Sequence, residues 1–223
     1  MGISAHNERS EISIFVGKNA HATEEVCMLV DFKDRVLNEK YNLMAQLIIP
    51  RPIAWIVTEG EVLNIAPFSY FTGLSSNPPT MIVSIGHRSD GTPKDTLRNL
   101  REHKKCVVCM VDETHLEAMH YSSKGLDASR SEAEEFDIAT KKVFDDFPPM
   151  VEGVKAAFFC EYLQEVDLKG SKTIPVIIKI KHLYIDESII ANKEKMSLEL
   201  DAIARIGKSY AKLGEKITAP QIP

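Results

Sequence analysis

Three stretches of this 223-residue chain carry residue types that could do chemistry. The first runs Arg51-Pro-Ile-Ala-Trp55, then Asn64-Ile-Ala-Pro-Phe-Ser-Tyr-Phe71, then Ser75-Ser-Asn-Pro-Pro79. It sets Asn, Ser, Tyr and Phe beside prolines at the ends of two apolar runs. That mixture suits a flat heteroaromatic ring, with apolar side chains on its faces and backbone amides at its polar edge. Phe68, Tyr70 and Phe71 are equally the residues of an ordinary aromatic core. The second stretch is Arg88-Ser-Asp-Gly-Thr-Pro-Lys-Asp-Thr96. It offers a Gly loop, a lysine, a threonine hydroxyl and the start of a helix. Free amides, the helix dipole and a cation suit a terminal phosphate. A lysine and a threonine at a helix start also serve as plain solvated caps, and the P-loop spacing is absent. Asp95 would repel a dianion if it faced one, so Asp95 or Thr96 is expected to cap the helix instead.

The third stretch is Cys106-Val-Val-Cys109. Its spacing suits a zinc or redox pair, but no second pair and no suitably spaced histidines complete a metal site. The same residues read as a buried strand, where positions three apart face opposite sides. Core cysteines are therefore expected. His115 and His120, five apart on an expected helix, point about 140° apart and do not easily share a metal. No paired-carboxylate or Ser-His-Asp signature stands out, and Glu132, Glu134 and Glu135 read as a solvated face.

The elements that must position these residues are mostly short strands. Residues 1 to about 30 read as an extension with one strand over 12–16, and residues 31–41 as a charged connector. Strands are expected over 53–58 and 62–66, joined by the short turn Glu59-Gly60-Glu61. Pro50 and Pro52 mark a sheet edge or a strand start. A loop over 75–79 leads to an apolar strand over 80–86, buried on both faces. After a loop over 87–93, a helix opens at Lys94-Asp95-Thr96 and a strand follows over 105–111. Residues 113–121 read as helical. Residues 122–153 are polar and loop-rich, with a short acidic helix near 132–136. Strands follow over 154–165 and 174–185. The tail from Leu198 carries Ile203, Ile206, Tyr210 and Leu213 at helical spacing. Short strands with helices as insertions favour an antiparallel barrel over a doubly wound sheet.

Taken in order, P-R-P-I-A-W, N-I-A-P-F-S-Y-F, S-S-N-P-P and P-K-D-T-x-x-N resemble the flavin reductase-like, FMN-binding split-barrel family, which includes flavoredoxin. The likeness is specific from Leu47 to Asp112 and looser as far as Arg205-Ile-Gly-x-x-Tyr210. It implies a mainly β fold, an antiparallel Greek-key split barrel with peripheral helices, a homodimer and bound FMN. By that resemblance, Asn64, Ala66, Pro67, Phe68, Ser69 and Tyr70 line the isoalloxazine and ribityl chain, and Lys94 and Thr96 approach the phosphate. Lys124 adds a second cation, and Tyr210 stacks near the ring. Two departures stand out. Lys208 replaces the second Gly of the family's ending, and Gly170-Ser-Lys-Thr-Ile-Pro175 lacks a His that many relatives carry before the last strand.

The resemblance implies a flavin reductase with NADH or NADPH as a transient substrate, since no Rossmann fingerprint is present. An FMN electron-transfer protein and a non-catalytic flavin-binding or sensor protein are the alternatives. Domain boundaries are expected at 1–44 (extension), 45–215 (FMN-binding barrel) and 216–223 (tail). The formal net charge of -5 argues against a nucleic-acid partner. No long apolar run suggests a membrane span, and the polar N-terminus lacks a signal-peptide core, so a cytoplasmic location is expected. An electron-acceptor protein is a further expected partner.

Overall fold

The computed structural model describes the backbone of residues 14–17 and 25–28, and residues 29–222 in full. The chain divides into two compact units, Met1–Ile48 and Ile49–Pro223. In the first, β1 (Ile14–Gly17) pairs antiparallel with β2 (Glu25–Met28), and α1 covers Leu37–Leu47. Ile12 and Ser13 of the expected first strand lie outside the described residues. The charged connector expected over 31–41 is corrected: the helix starts at Leu37. Its run of Leu, Glu, Lys, Met, Ala and Gln is rich in strong helix formers, and that propensity outweighs the charges.

The second unit opens with β3 (Arg51–Pro52), β4 (Ala54–Thr58), β5 (Asn64–Phe68), β6 (Phe71–Ser76) and β7 (Pro79–Gly86). Then come α2 (Asp95–His103), β8 (Lys105–Met110), α3 (Leu116–Tyr121) and α4 (Glu132–Glu135). Two short strands, β9 (Thr140–Lys141) and β10 (Met150–Val151), precede the long hairpin of β11 (Ala156–Glu165) and β12 (Thr173–Ile185). The chain closes with β13 (Ile190–Asn192), β14 (Ser197–Leu198), β15 (Ile203–Ile206) and β16 (Ser209–Lys212). One antiparallel sheet dominates, in the order β5-β4-β8-β11-β12-β7-β6. It curls into the antiparallel barrel that the strand pattern implies, in the split form expected from the resemblance, with few helices. A smaller sheet has the order β16-β15-β3.

Period-two alternation lets the central strands serve two cores at once. Ala54, Ile56, Cys106, Val108 and Cys160 join Val83, Val176 and Ile178 in one cluster, closed by Leu97 and Leu100 of α2. Trp55, Val57, Val107, Cys109 and Phe159 point the other way, toward Met119, Ile138, Phe147 and Ile203. Cys106 and Cys109 thus sit in different cores, as their spacing demands. Burial pushes the Cys109 thiol up to about 12, so it is inert at neutral pH. Strand β7 differs from the fully buried reading: Met81, Val83 and Ile85 are buried, while Ile82 and Ser84 are only half-buried. The expected 75–79 loop shrinks to Asn77-Pro78 between paired strands.

The C-terminal tail also departs from expectation. Ile203, Ile206 and Tyr210 lie on a β-hairpin, not a helix, with Arg205 opposite Tyr210. Gly207 makes the turn with a φ of 49°, which a glycine adopts without strain. The apolar spacing matched both periods, and the turn glycine decided between them. At the other edge of the fold, β5 is a terminal strand whose outer backbone groups are blocked. Ser131 Oγ donates to the Leu63 carbonyl at 2.6 Å, the Ile65 N–H donates to Glu132 Oε2 at 2.9 Å, and Pro67 has no N–H to offer.

Candidate functional site

Strand β5, the start of α2 and the loop after α3 converge on a cleft of ≈ 190 Å³. Asn64, Ala66, Pro67 and Phe68 form its β5 wall. Arg88, Lys94, Asp95 and Thr96 form the wall at the helix start, and Ser122, Ser123, Lys124, Gly125 and Leu126 face them with Glu132. Of the residues expected from the sequence, Asn64, Ala66, Pro67, Phe68, Lys94, Thr96 and Lys124 come together here. Ser69, Tyr70 and Tyr210 are not part of the lining. Tyr70 lies under the Arg51 guanidinium, 5.7 Å from ring centre to Cζ. Tyr210 belongs to a separate cluster: its hydroxyl is 2.9 Å from His120 Nδ1, and Arg205 lies 4.7 Å over its ring. His115 is engaged elsewhere, with Nδ1 2.7 Å from Asp112 Oδ1. Among the described residues no group of His, Cys, Asp or Glu is placed to hold a metal ion.

The helix start corrects one expectation. The N-cap of α2 is Lys94, and no side chain caps the first turn. Asp95 does line the cleft, but it is ion-paired with Arg88 and Arg98, which offsets its charge. Thr96 is buried, and its hydroxyl accepts from Asn64 Nδ2 at 2.9 Å, tying β5 to α2. Asn64 Nδ2 also reaches Thr58 Oγ1 at 3.2 Å, and Asn99 Nδ2 donates to that same hydroxyl. Lys94 makes no ion pair among the described residues; its ammonium lies 5.7 Å over the Phe68 ring. Desolvation at the cleft wall, then the like charge of Arg88, holds its pKa below the usual lysine value. An uncapped helix start beside an unpaired ammonium attracts an anion.

Glu132 is the second correction. It is not on a solvated face: only 6% of it is exposed, and it lines the cleft while holding the Ile65 N–H. Burial raises its pKa, partly opposed by that N–H bond. Ser122, also missed from the sequence, accepts from Trp55 Nε1 at 2.9 Å and donates to the Met119 carbonyl at 2.8 Å. The His absent from 170–175 has a neighbour in space: His87 Nδ1 lies 2.9 Å from the Lys172 carbonyl oxygen.

A family model described as the flavin reductase-like domain matches residues 44–198. The chain belongs to the flavin reductase-like domain family. An uncharacterized protein of Aquifex aeolicus is 30% identical over 175 residues, covering 76% of this chain and 87% of that one. YwrF of Bacillus subtilis, also uncharacterized, is 30% identical over 189 residues, or 81% and 92%. Among solved structures, nitrilotriacetate monooxygenase component B from Bacillus cereus matches with a TM-score of 0.81 at 27% identity, covering 87% of this chain and all (100%) of that one. The 2-nitrobenzoate 2-nitroreductase NbaA of Pseudomonas fluorescens matches with a TM-score of 0.77 at 25% identity, over 87% and 96%. Membership of this family makes the chain a flavin-related oxidoreductase. Among the described residues, no helix is long and apolar enough to cross a membrane.

Proposed function

We propose that this family member binds FMN in the cleft and works as an NAD(P)H-dependent flavin reductase. The observation that carries the reading is the Lys94 ammonium, unpaired among the described residues, at the uncapped start of α2. There it would hold a terminal phosphate together with Thr96 and the exposed Lys124. The cleft offers one such anion site, which suits the single phosphate of FMN better than a dinucleotide. Its ≈ 190 Å³ is below the range of about 300–1,000 Å³ usual for ligand pockets. It would hold the phosphate and chain, with Phe68 and Pro67 offering apolar contact toward the ring, and a second copy of the chain would complete the site. When bound, the flavin supplies hydride acceptance from a reduced nicotinamide and onward electron transfer. The protein's own part is to bind, to orient and to exclude water. Asn64 and Thr96 fix the strand against the helix, and Pro67 and Phe68 offer apolar contact. A partner oxygenase as electron acceptor is part of the same reading, by analogy with the component B relative.

Three spectra test the proposal: the protein as purified, after FMN, and after NADH or NADPH. Flavin absorbance that bleaches with the nicotinamide is the expected result. Flavin bands that persist with both nucleotides would retain the site and move the function to electron transfer from a protein donor. A protein that FMN cannot reconstitute would sink the reading.

A further inference from the structure

A buried carboxylate lines a cleft whose cations, Arg88, Lys94 and Lys124, suit an anion. Glu132 is 6% exposed, within the cleft wall, and two residues into a segment far in sequence from β5. One oxygen, Oε2, accepts from the Ile65 N–H at 2.9 Å. The preceding Ser131 anchors the same strand through the Leu63 carbonyl at 2.6 Å. These two bonds fix the carboxyl group in position. The Glu132 backbone N–H also supports the carboxylate, and no other side chain bonds it among the described residues. A carboxylate can accept about four hydrogen bonds, so one held by backbone amides at the cleft wall keeps acceptor capacity for a ligand.

The chemistry around it identifies the donor. Lys94 and Lys124 have no ion-pair partner among the described residues, whereas Arg88 is matched by Asp95. The phosphate goes to the lysines. A carboxylate repels phosphate and attracts hydroxyl donors, so the group facing Glu132 is a neutral, hydroxyl-bearing part of the ligand. We infer that Glu132 is a specificity-determining residue that accepts a hydrogen bond from the polyol chain of a flavin. This rests on the flavin-binding reading above, and it assigns the cleft a preference for ribityl flavins over flavins without the chain.

The test compares riboflavin, FMN and lumiflavin, which has the ring but neither chain nor phosphate. Binding is read by flavin fluorescence on the full chain, wild type and Glu132→Gln. The glutamine carbonyl can still accept from Ile65, so folding is preserved, and the Trp55 emission maximum checks this. Riboflavin affinity is expected to fall about tenfold, as for loss of one charge-assisted bond. FMN is expected to lose less, because removing a negative charge favours its phosphate. Lumiflavin is expected to be unchanged. Glu132→Asp, which withdraws the carboxylate, should show the same order. Equal changes for riboflavin and lumiflavin, or none for riboflavin, would overturn the inference while leaving the flavin site standing. A wild-type protein that binds none of the three removes both.

Discussion

At the scale of single residues, the phosphate assignment is the most exposed to test. Lys94→Ala and Thr96→Ala should each weaken FMN binding by about 1–3 kcal/mol, the worth of a charge-assisted contact. Fluorescence titration reads this directly, and unchanged affinity in both would place the phosphate elsewhere. The lysine also sets a pH dependence. Its pKa in the free protein is below the ordinary 10.5, through desolvation and the nearby Arg88. FMN affinity should therefore fall as pH rises through a value below 10.5, and Lys94→Ala should abolish that limb. Glu132 acts on stability in the opposite sense to a salt-bridged acid. Its folded pKa is raised above 4.5 by burial, so the native state holds the proton more tightly than the unfolded chain. That contribution is full below the unfolded value and is lost as pH rises through the folded one. Urea midpoints of wild type and Glu132→Gln should converge at low pH and separate above it. Asn64, Lys94 and Thr96 were legible because residue types and spacing marked them within one or two short motifs. Glu132 and Ser122 were not, because they reach the cleft from a segment more than fifty residues from β5 in sequence, and a run of acids normally faces water.

At the scale of elements, the cleft depends on how closely the β4–β5 turn approaches α2. A Cβ on Gly60 would sit 2.7 Å from Asn99 Oδ1, an overlap that buried Asn99 must relieve by moving. Asn99 shares the Thr58 hydroxyl with Asn64, so the disturbance reaches the Asn64–Thr96 tie. Gly60→Ala is expected to destabilise the fold by about 1–3 kcal/mol. It should also weaken FMN binding, although Gly60 is not among the cleft-lining residues. Thermal denaturation with and without FMN measures both effects. The sequence left strands legible where short apolar runs carry Val, Phe and Cys, as along β8 and β11. It failed on the C-terminal hairpin, where four apolar positions fit a helical period and only the Gly207 turn separates the two solutions. It failed on α1, where charged residues stand among strong helix formers and hide the helix.

At the scale of the whole molecule, the central strands belong to two cores simultaneously. Neither core can come apart while the strand between them stays paired. Trp55, the only tryptophan in the chain, reports on one core, and Cys106 and Cys160 report on the other. Trp55 emission and the reactivity of Cys106 and Cys160 should change at the same denaturant concentration, as a cooperative transition requires. Separate midpoints would show that the cores melt independently. The barrel class followed from strand count and turn spacing.

The blocked edge of β5 has a consequence for self-association. An unpaired strand is a template on which another extended chain can polymerise, because its outward amides and carbonyls are ready to pair. Here a serine, a glutamate and a proline occupy such positions, so templating at β5 is hindered by side chains of which Glu132 and Pro67 also line the cleft. Variants that empty this edge, such as Ser131→Ala combined with Glu132→Ala, expose the very strand that frames the ligand. Loss of binding and gain of fibril growth would then arise from one and the same lesion.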